Sequence, residues 1–216
     1  MPIDAPTAPL LAIRGLACVR GTRTLWRGLD RDLAPGDLLR VEGANGAGKT
    51  SFLRCVAGLL PPAAGELRWR GEPIASQREG FAQELLYLGH APALKDDLTA
   101  LENLRFASAL AGAGDAAAAL EAALAAWGLA PLQARVLPTR SLSAGQRRRA
   151  ALARLSLSTA TLWVLDEPFA ALDVGAVQTL ADALAAHAAR GGIALVSSHQ
   201  PWPTPEGARV ATLALS

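Results

Sequence analysis

The stretch from Val41 to Ser51 restricts this chain more than any other. Gly43, Ala44, Asn45, Gly46, Ala47, Gly48, Lys49 and Thr50 fit the pattern glycine, four residues, glycine, lysine, threonine without a mismatch, and Ser51 follows. The apolar run Leu38–Val41 ahead of it predicts a strand. Thr50–Ala57 behind it predicts a helix, closed by Gly58 and then by Pro61 and Pro62. Strand, glycine loop and helix in that order form the context a phosphate-cradling loop requires. Its glycines let backbone N–H groups turn inward around an anion, and the helix start adds partial positive charge. Lys49 then reaches the outer phosphates and the Thr50 hydroxyl sits on Mg²⁺. A glycine-rich turn that merely precedes a lysine is the competing reading, and it leaves the flanking strand and helix unexplained.

The rest of the chain has to build a sheet around this loop. With 216 residues and 22.3 kDa it suffices for one sizeable core, so 1–216 is read as a single domain. Apolar residues make up 51%, yet no unbroken apolar run approaches the length of a membrane span. A formal charge of +2 is too small to imply a nucleic-acid partner, and none is expected. Met1–Pro6 lacks the basic flank and apolar stretch of a signal peptide, and Cys18 and Cys55 lack metal-site spacing. The expected setting is cytosolic and reducing, with Cys55 a small core residue.

Short strands are expected at 10–13, 24–29 and 38–41, a hairpin strand at 67–71, and a buried parallel strand at 85–88. From Leu98 to Leu137 the pattern is helical. Thr99 is placed to cap a helix with Glu102 in the capping-box position, and alanines from Ala107 to Ala126 favour helix apart from Gly112 and Gly114. Leu110, Leu120, Leu124 and Trp127 are read as the packing stripe of this block. A second helix is expected from Ser143 through Leu155. Strands at 162–165 and 193–196 flank a helix from Val174 to Ala189, the spacing of a parallel crossover, and 209–215 closes as an edge strand. The fold class is therefore α/β, with a mostly parallel core sheet, an antiparallel β edge and an inserted helical subdomain at about 91–155.

Two further segments add chemistry. The apolar strand ending in Asp166-Glu167 delivers a carboxylate to the carboxyl end of the sheet, where Asp166 suits the Mg²⁺ shell beside Thr50. Glu167 points differently and suits general-base work on an attacking water. Ser143 reads as a helix N-cap and Gly145 permits close backbone approach, making a helix start competent to hold a γ-phosphate. Arg147–Arg149 reads as a solvated, partly ion-paired helix face, since no aromatic residues interleave as in a nucleic-acid patch.

Leu142-Ser143-Ala144-Gly145-Gln146, taken with the phosphate loop and Asp166-Glu167, resembles the signature motif of ATP-binding cassette (ABC) ATPases. The resemblance spans nearly the whole chain and implies the P-loop NTPase fold, ATP and Mg²⁺ as ligands, and ATP hydrolysis. It implies that His199, in Ser197-Ser198-His199, contacts the γ-phosphate, and that Asp173, in Ala171-Leu172-Asp173, contacts the opposite subunit. There are three departures. Ala144 replaces a glycine. His90 stands where most members carry a glutamine that touches Mg²⁺ and the membrane partner; an imidazole can accept from a metal-bound water or bind a metal directly, and a structural loop histidine is the competing view. Arg20 occupies the place of the aromatic that stacks on adenine, and a guanidinium plane can also stack on a base.

Within that family, Leu85–His90, Leu98–Leu104, Trp69–Ile74, Ser198-His199-Gln200-Pro201 and the short C-terminus resemble the ATPases of cytochrome c biogenesis. What this implies is a peripheral subunit on the cytoplasmic face of the bacterial inner membrane, working with CcmB and CcmC type permease subunits. ATP hydrolysis would serve haem export and release of the haem-loaded chaperone CcmE. No direct haem binding is expected, because the chain has no CxxCH, three His and a single Met. Two copies are expected to close head to tail, each ATP lying between Gly43–Thr50 of one and Ser143–Gly145 of the other, since Lys49 alone supplies few donors to the spreading charge. The alternatives are an ABC exporter ATPase for a drug or lipid, a soluble cassette protein acting on ribosomes or DNA, and a nucleotide-gated module that does not hydrolyse.

Overall fold

The computed structural model describes residues 9–112, 116–199, 202–205 and 207–216. The expectations placed on Met1–Pro6, Gly114, Gln200 and Pro201 lie outside the described residues. The elements run β1 (Leu11–Arg20), β2 (Arg23–Leu33), β3 (Asp37–Glu42), α1 (Lys49–Val56), β4 (Ala64–Trp69), β5 (Glu72–Pro73), α2 (Arg78–Gln83) and β6 (Leu85–Leu88). Then come α3 (Ala100–Leu110), α4 (Ala117–Ala126), α5 (Pro131–Arg135), α6 (Ala144–Leu152), β7 (Leu162–Asp166), α7 (Val174–Ala189), β8 (Ile193–Ser197) and β9 (Arg209–Ala214).

Two sheets form. The core sheet is parallel, in the order β6-β7-β8-β3-β9, so β9 closes one edge as expected and β6 closes the other. The antiparallel strands are a sheet of their own, β2-β1-β4-β5, rather than an edge of the parallel one. β1 and β2 are also longer than the sequence suggests. Arg14 and Gly15 break the apolar alternation, but they are absorbed as a bulge between Ile13 and Leu16, where the Gly15 N–H donates to Asp30 Oδ1 at 2.8 Å.

Side-chain alternation along the parallel strands divides the core in two. Leu39, Val41, Leu162, Val164, Ile193 and Leu195 face α1 and the antiparallel sheet. Leu38, Trp163, Leu165, Ala194 and Val196 face α7 and the helical block. β7 and β8 are buried on both faces over their whole length, which is why each reads as an unbroken apolar run. Both cysteines are buried in the first of these cores, and burial pushes the Cys55 thiol up to about 12, with Cys18 beside it.

The helical block corrects two expectations. Leu120, Leu124 and Trp127 are buried, but Leu110 is 75% exposed, because α3 ends there and its last turn projects beyond the block. The helix that begins after Ser143 stops at Leu152 and tightens into a 3₁₀ turn over Ala153–Leu157. The Thr99 cap forms as expected, its hydroxyl accepting from the Glu102 N–H while the Glu102 side chain accepts from the Thr99 N–H.

His187 is buried on α7, stacked on Trp163 with centroids 3.9 Å apart, and its Nε2 lies 3.1 Å from the Ile193 carbonyl. Burial pushes its pKa down to about 4, the Ile193 carbonyl only partly offsetting it. Above the unfolded value of about 6.5 both states are neutral; below it the unfolded chain takes the proton first. Stability is therefore lost as pH falls from about 6.5 towards about 4, by about 3 kcal/mol from this residue. Thermal unfolding of His187→Phe between pH 7.5 and 4.5 should show a shallower acid decline than the parent; parallel curves would refute the assignment.

Candidate functional site

The loop leaving β3 turns into α1 around Gly48, which sits at φ 95 and whose absent Cβ would stand 2.8 Å from the Trp26 indole nitrogen. Any other residue here would be strained and would strike a buried ring. Lys49 is 8% exposed, and its ammonium donates to the loop's own carbonyls, Gly43 O at 2.7 Å and Ala44 O at 3.3 Å. The Ala47 N–H closes the turn on Ala44 O at 3.1 Å.

Asp166 comes to the same place from the end of β7. It is 1% exposed; its Oδ2 accepts from Thr50 Oγ1 at 2.8 Å and its Oδ1 from Ser197 Oγ at 2.7 Å. Ser197 also accepts from the Glu167 N–H at 2.9 Å, so one hydroxyl fixes both acidic positions. Sequence reasoning gave Ser197 no role of its own. The signal is its register opposite Asp166 in the parallel pair. Glu167 lies in the left-handed region at φ 51, a costly conformation for a residue with a Cβ, and this aims its side chain away from that of Asp166. Its Oε2 accepts from His199 Nδ1 at 2.9 Å, with the Glu167 side chain 13% exposed. Beyond His199, Trp202 stacks on Phe169 at 5.2 Å and under the Arg40 guanidinium at 4.6 Å, binding the segments that follow Glu167 and His199 to one column.

These groups open on a cavity of about 430 Å³ lined by Asn45, Gly46, Gly48, Lys49, Thr50 and Ser51 of the loop. Asp166, Glu167 and His199 complete its polar wall, and Arg20, Leu25 and His90 its rim. Thus Arg20 and His90, far apart in sequence, reach one hollow. The Thr50 hydroxyl and the Asp166 carboxylate are hard oxygen donors that converge, as Mg²⁺ requires. Among the described residues no group of three His, Cys, Asp or Glu could hold a metal by itself.

Ser143 and Gly145 are not among the lining residues. Ser143 caps α6 in a full capping box, accepting from the Gln146 N–H at 3.2 Å while the Gln146 side chain accepts from the Ser143 N–H at 2.8 Å. Ser143 is exposed, and this helix start is no part of its own chain's cavity. The lack of a Cβ at Gly145 matters here, since one would stand 2.8 Å from the Ala171 carbonyl. Asp173 caps α7 through the Ala176 N–H at 2.8 Å and faces Arg149 at 3.5 Å. The arginine run is only in part the solvated face expected. Arg147 pairs with Asp96 at 2.6 Å, but Arg148 is buried and donates to the Gly89 and His90 carbonyls.

The ABC transporter family model matches residues 26–170. The chain is 54% identical over 198 residues to the cytochrome c biogenesis ATP-binding export protein CcmA of Aromatoleum aromaticum, covering 91% of this chain and 92% of that one. It is 52% identical over 192 residues to CcmA of Methylococcus capsulatus, with coverage of 89% and 91%. Identity to CcmA of Escherichia coli K12 is 48% over 197 residues, with coverage of 91% and 92%. Among solved structures, a putative ABC transporter ATP-binding protein from Pyrococcus furiosus superposes with a TM-score of 0.80 at 23% identity, over 95% and 96% of the two chains. A dimeric ATP-binding cassette in a post-hydrolysis state with ADP and phosphate gives 0.76 at 19% identity over 88% of each chain.

Proposed function

From the premise that the chain belongs to the ABC transporter family, and within it to the cytochrome c biogenesis ATP-binding export proteins, we propose that it is the ATP-hydrolysing subunit of a haem-exporting membrane complex. The observation that carries the catalytic part is the convergence of the phosphate loop, Asp166, Glu167 and His199 on one cavity. ATP binds with its triphosphate on the N–H groups of Gly46–Ser51 and the Lys49 ammonium. Arg20 lies at the rim as the surface for the base. Glu167 takes the proton of the attacking water while His199, bonded to it, orients the carboxylate and faces the γ-phosphate. Thr50 and Asp166 would hold Mg²⁺, which supplies charge neutralisation on the phosphate oxygens. Ser143 and Gly145 of a second copy complete the site with a helix start, and Asp173 meets that copy near the same seam.

The chain 1–216 acts as one ATP-binding domain, and the segment at about 91–155 is the helical subdomain that meets the membrane partner. No helix of the described residues is long and apolar enough to cross a membrane, so attachment to the inner membrane's cytoplasmic face falls to that partner, a CcmB or CcmC type permease. The docking face is a groove of about 470 Å³ lined by Leu86, Leu94, Leu104, Phe106 and Leu110, with Arg154 and Lys95 on its wall. Arg154 bonds no described residue, and burial lowers its pKa without a compensating anion. An unpaired, partly desolvated guanidinium beside apolar walls fits an amphipathic segment of the permease that presents a carboxylate.

One complementation experiment tests both parts. A strain lacking the gene should lose its c-type cytochrome absorption, and the parent chain but not Glu167→Gln should restore it. Unchanged spectra in the deletion would favour the second reading, an exporter ATPase for a drug or lipid. Arg154→Glu should hydrolyse ATP when purified yet fail to restore the cytochromes, and full restoration by it would remove the docking face.

A further inference from the structure

Arg148 is 7% exposed on the inner face of α6, where Ala151 and Leu152 are buried with it. A guanidinium removed from water needs its donors met. Here two of them meet backbone oxygens of one loop: Nη1 donates to the Gly89 carbonyl at 3.3 Å and Nη2 to the His90 carbonyl at 2.7 Å. That loop leaves β6, which among the described residues pairs only with β7, and β7 ends at Asp166. Among the described residues the loop gains no comparable backbone hold until the Leu98 N–H donates to the Lys95 carbonyl. Burial lowers the Arg148 pKa, and the charges of Asp166 and Glu167 oppose that shift, so the cation also stands within the field of the two acidic groups. Its half-buried neighbours on the same turn do something different, Arg147 holding Asp96 and Arg149 facing Asp173.

We propose that Arg148 is a positioning residue: it fixes the backbone of His90 to α6, so that the imidazole's place in the nucleotide cavity follows the helix whose tip serves the other copy's ATP. A shift of α6 then moves two parts together, Ser143 at one nucleotide and His90 at the other. Lysine would hold the loop less firmly, because an ammonium donates without the rigid planar fork that fixes the direction of both bonds. The proposal rests on the reading of this cavity as the ATP site.

The test uses the full-length chain as wild type, Arg148→Met, His90→Ala and the double variant, with Glu167→Gln as reference. Steady-state ATP hydrolysis with Mg²⁺ and ATP affinity are measured separately. Arg148→Met is expected to lower kcat by about 10- to 100-fold, the scale of a small misplacement at a reacting centre. ATP affinity should shift by less than about threefold, since the phosphate loop is untouched. The double variant should be no slower than the slower single one, because Arg148 acts through His90. A merely structural arginine would give losses that multiply in the double variant; that result, or a kcat unaffected by Arg148→Met, overturns the proposal. A kcat insensitive to His90→Ala while Glu167→Gln is dead removes His90 from the site, and the proposal with it, but leaves the ATPase reading standing. Hydrolysis undiminished in Glu167→Gln is the result that sinks the reading itself. Should Arg148→Met fail to fold, Arg148→Lys carries the same comparison with a loss of about three- to tenfold and the same non-additivity.

Discussion

Glu167→Gln should bind ATP with near-parental affinity and turn it over about a thousandfold more slowly, within the range expected for loss of a general base. The amide has the shape of the carboxylate, so the left-handed backbone at φ 51 and the packing around a side chain only 13% exposed survive. His199 Nδ1 keeps an oxygen acceptor at the 2.9 Å contact. What disappears is the ability to take a proton and the negative charge that holds the imidazole in place. Because Asp166 and Thr50 keep their 2.8 Å bond, the pair proposed to hold Mg²⁺ is unaltered and the loss should fall on kcat rather than on binding. Single-turnover hydrolysis, with nucleotide affinity measured in parallel, decides the matter; a rate within a few-fold of the parent would strip Glu167 of its role.

Lys49→Ala acts on the opposite parameter. The ammonium sits at 8% residue exposure on the Gly43 and Ala44 carbonyls, in a place prepared for a cation and with no carboxylate beside it among its bonded partners. A triphosphate entering the cavity supplies the missing negative charge through charge-assisted bonds of about 1.5–3 kcal/mol each. Losing one or two of these weakens ATP binding by about 100-fold or more. The carbonyls released by the truncation return to the solvent-filled cavity, so the change in thermal stability without nucleotide should be small. Titration with a fluorescent ATP analogue measures the effect. Affinity unchanged by the substitution would mean that the loop grips something else.

The parts legible in the sequence are those fixed by neighbours along the chain. The turn from β3 to α1, the Thr99 and Ser143 caps, and strands β7 and β8 all depend on local spacing or on apolar runs buried on both faces. Gln146, three residues after Ser143, is the local sign of the full capping box. Contacts across the fold were not legible. Nothing in Arg147-Arg148-Arg149 tells which guanidinium is buried, because that depends on the loop after β6 approaching α6 from elsewhere. Leu110 failed for another reason: in a segment of mostly alanine every face is weakly apolar, so periodicity cannot single out the buried one. Cys18 and Cys55 looked isolated at 37 positions apart, yet β1 and α1 pack them together.

Because the capped start of α6 does not line its own chain's cavity, the proposed head-to-tail pairing makes a solitary copy half a machine. In dilute solution the total rate of hydrolysis should climb with the square of protein concentration, and turnover per copy in proportion to it, until pairing saturates. Two copies tethered beneath one membrane assembly would instead meet at an effective concentration on the order of millimolar. The assembly would then govern consumption of ATP simply by how near it lets its two passengers drift.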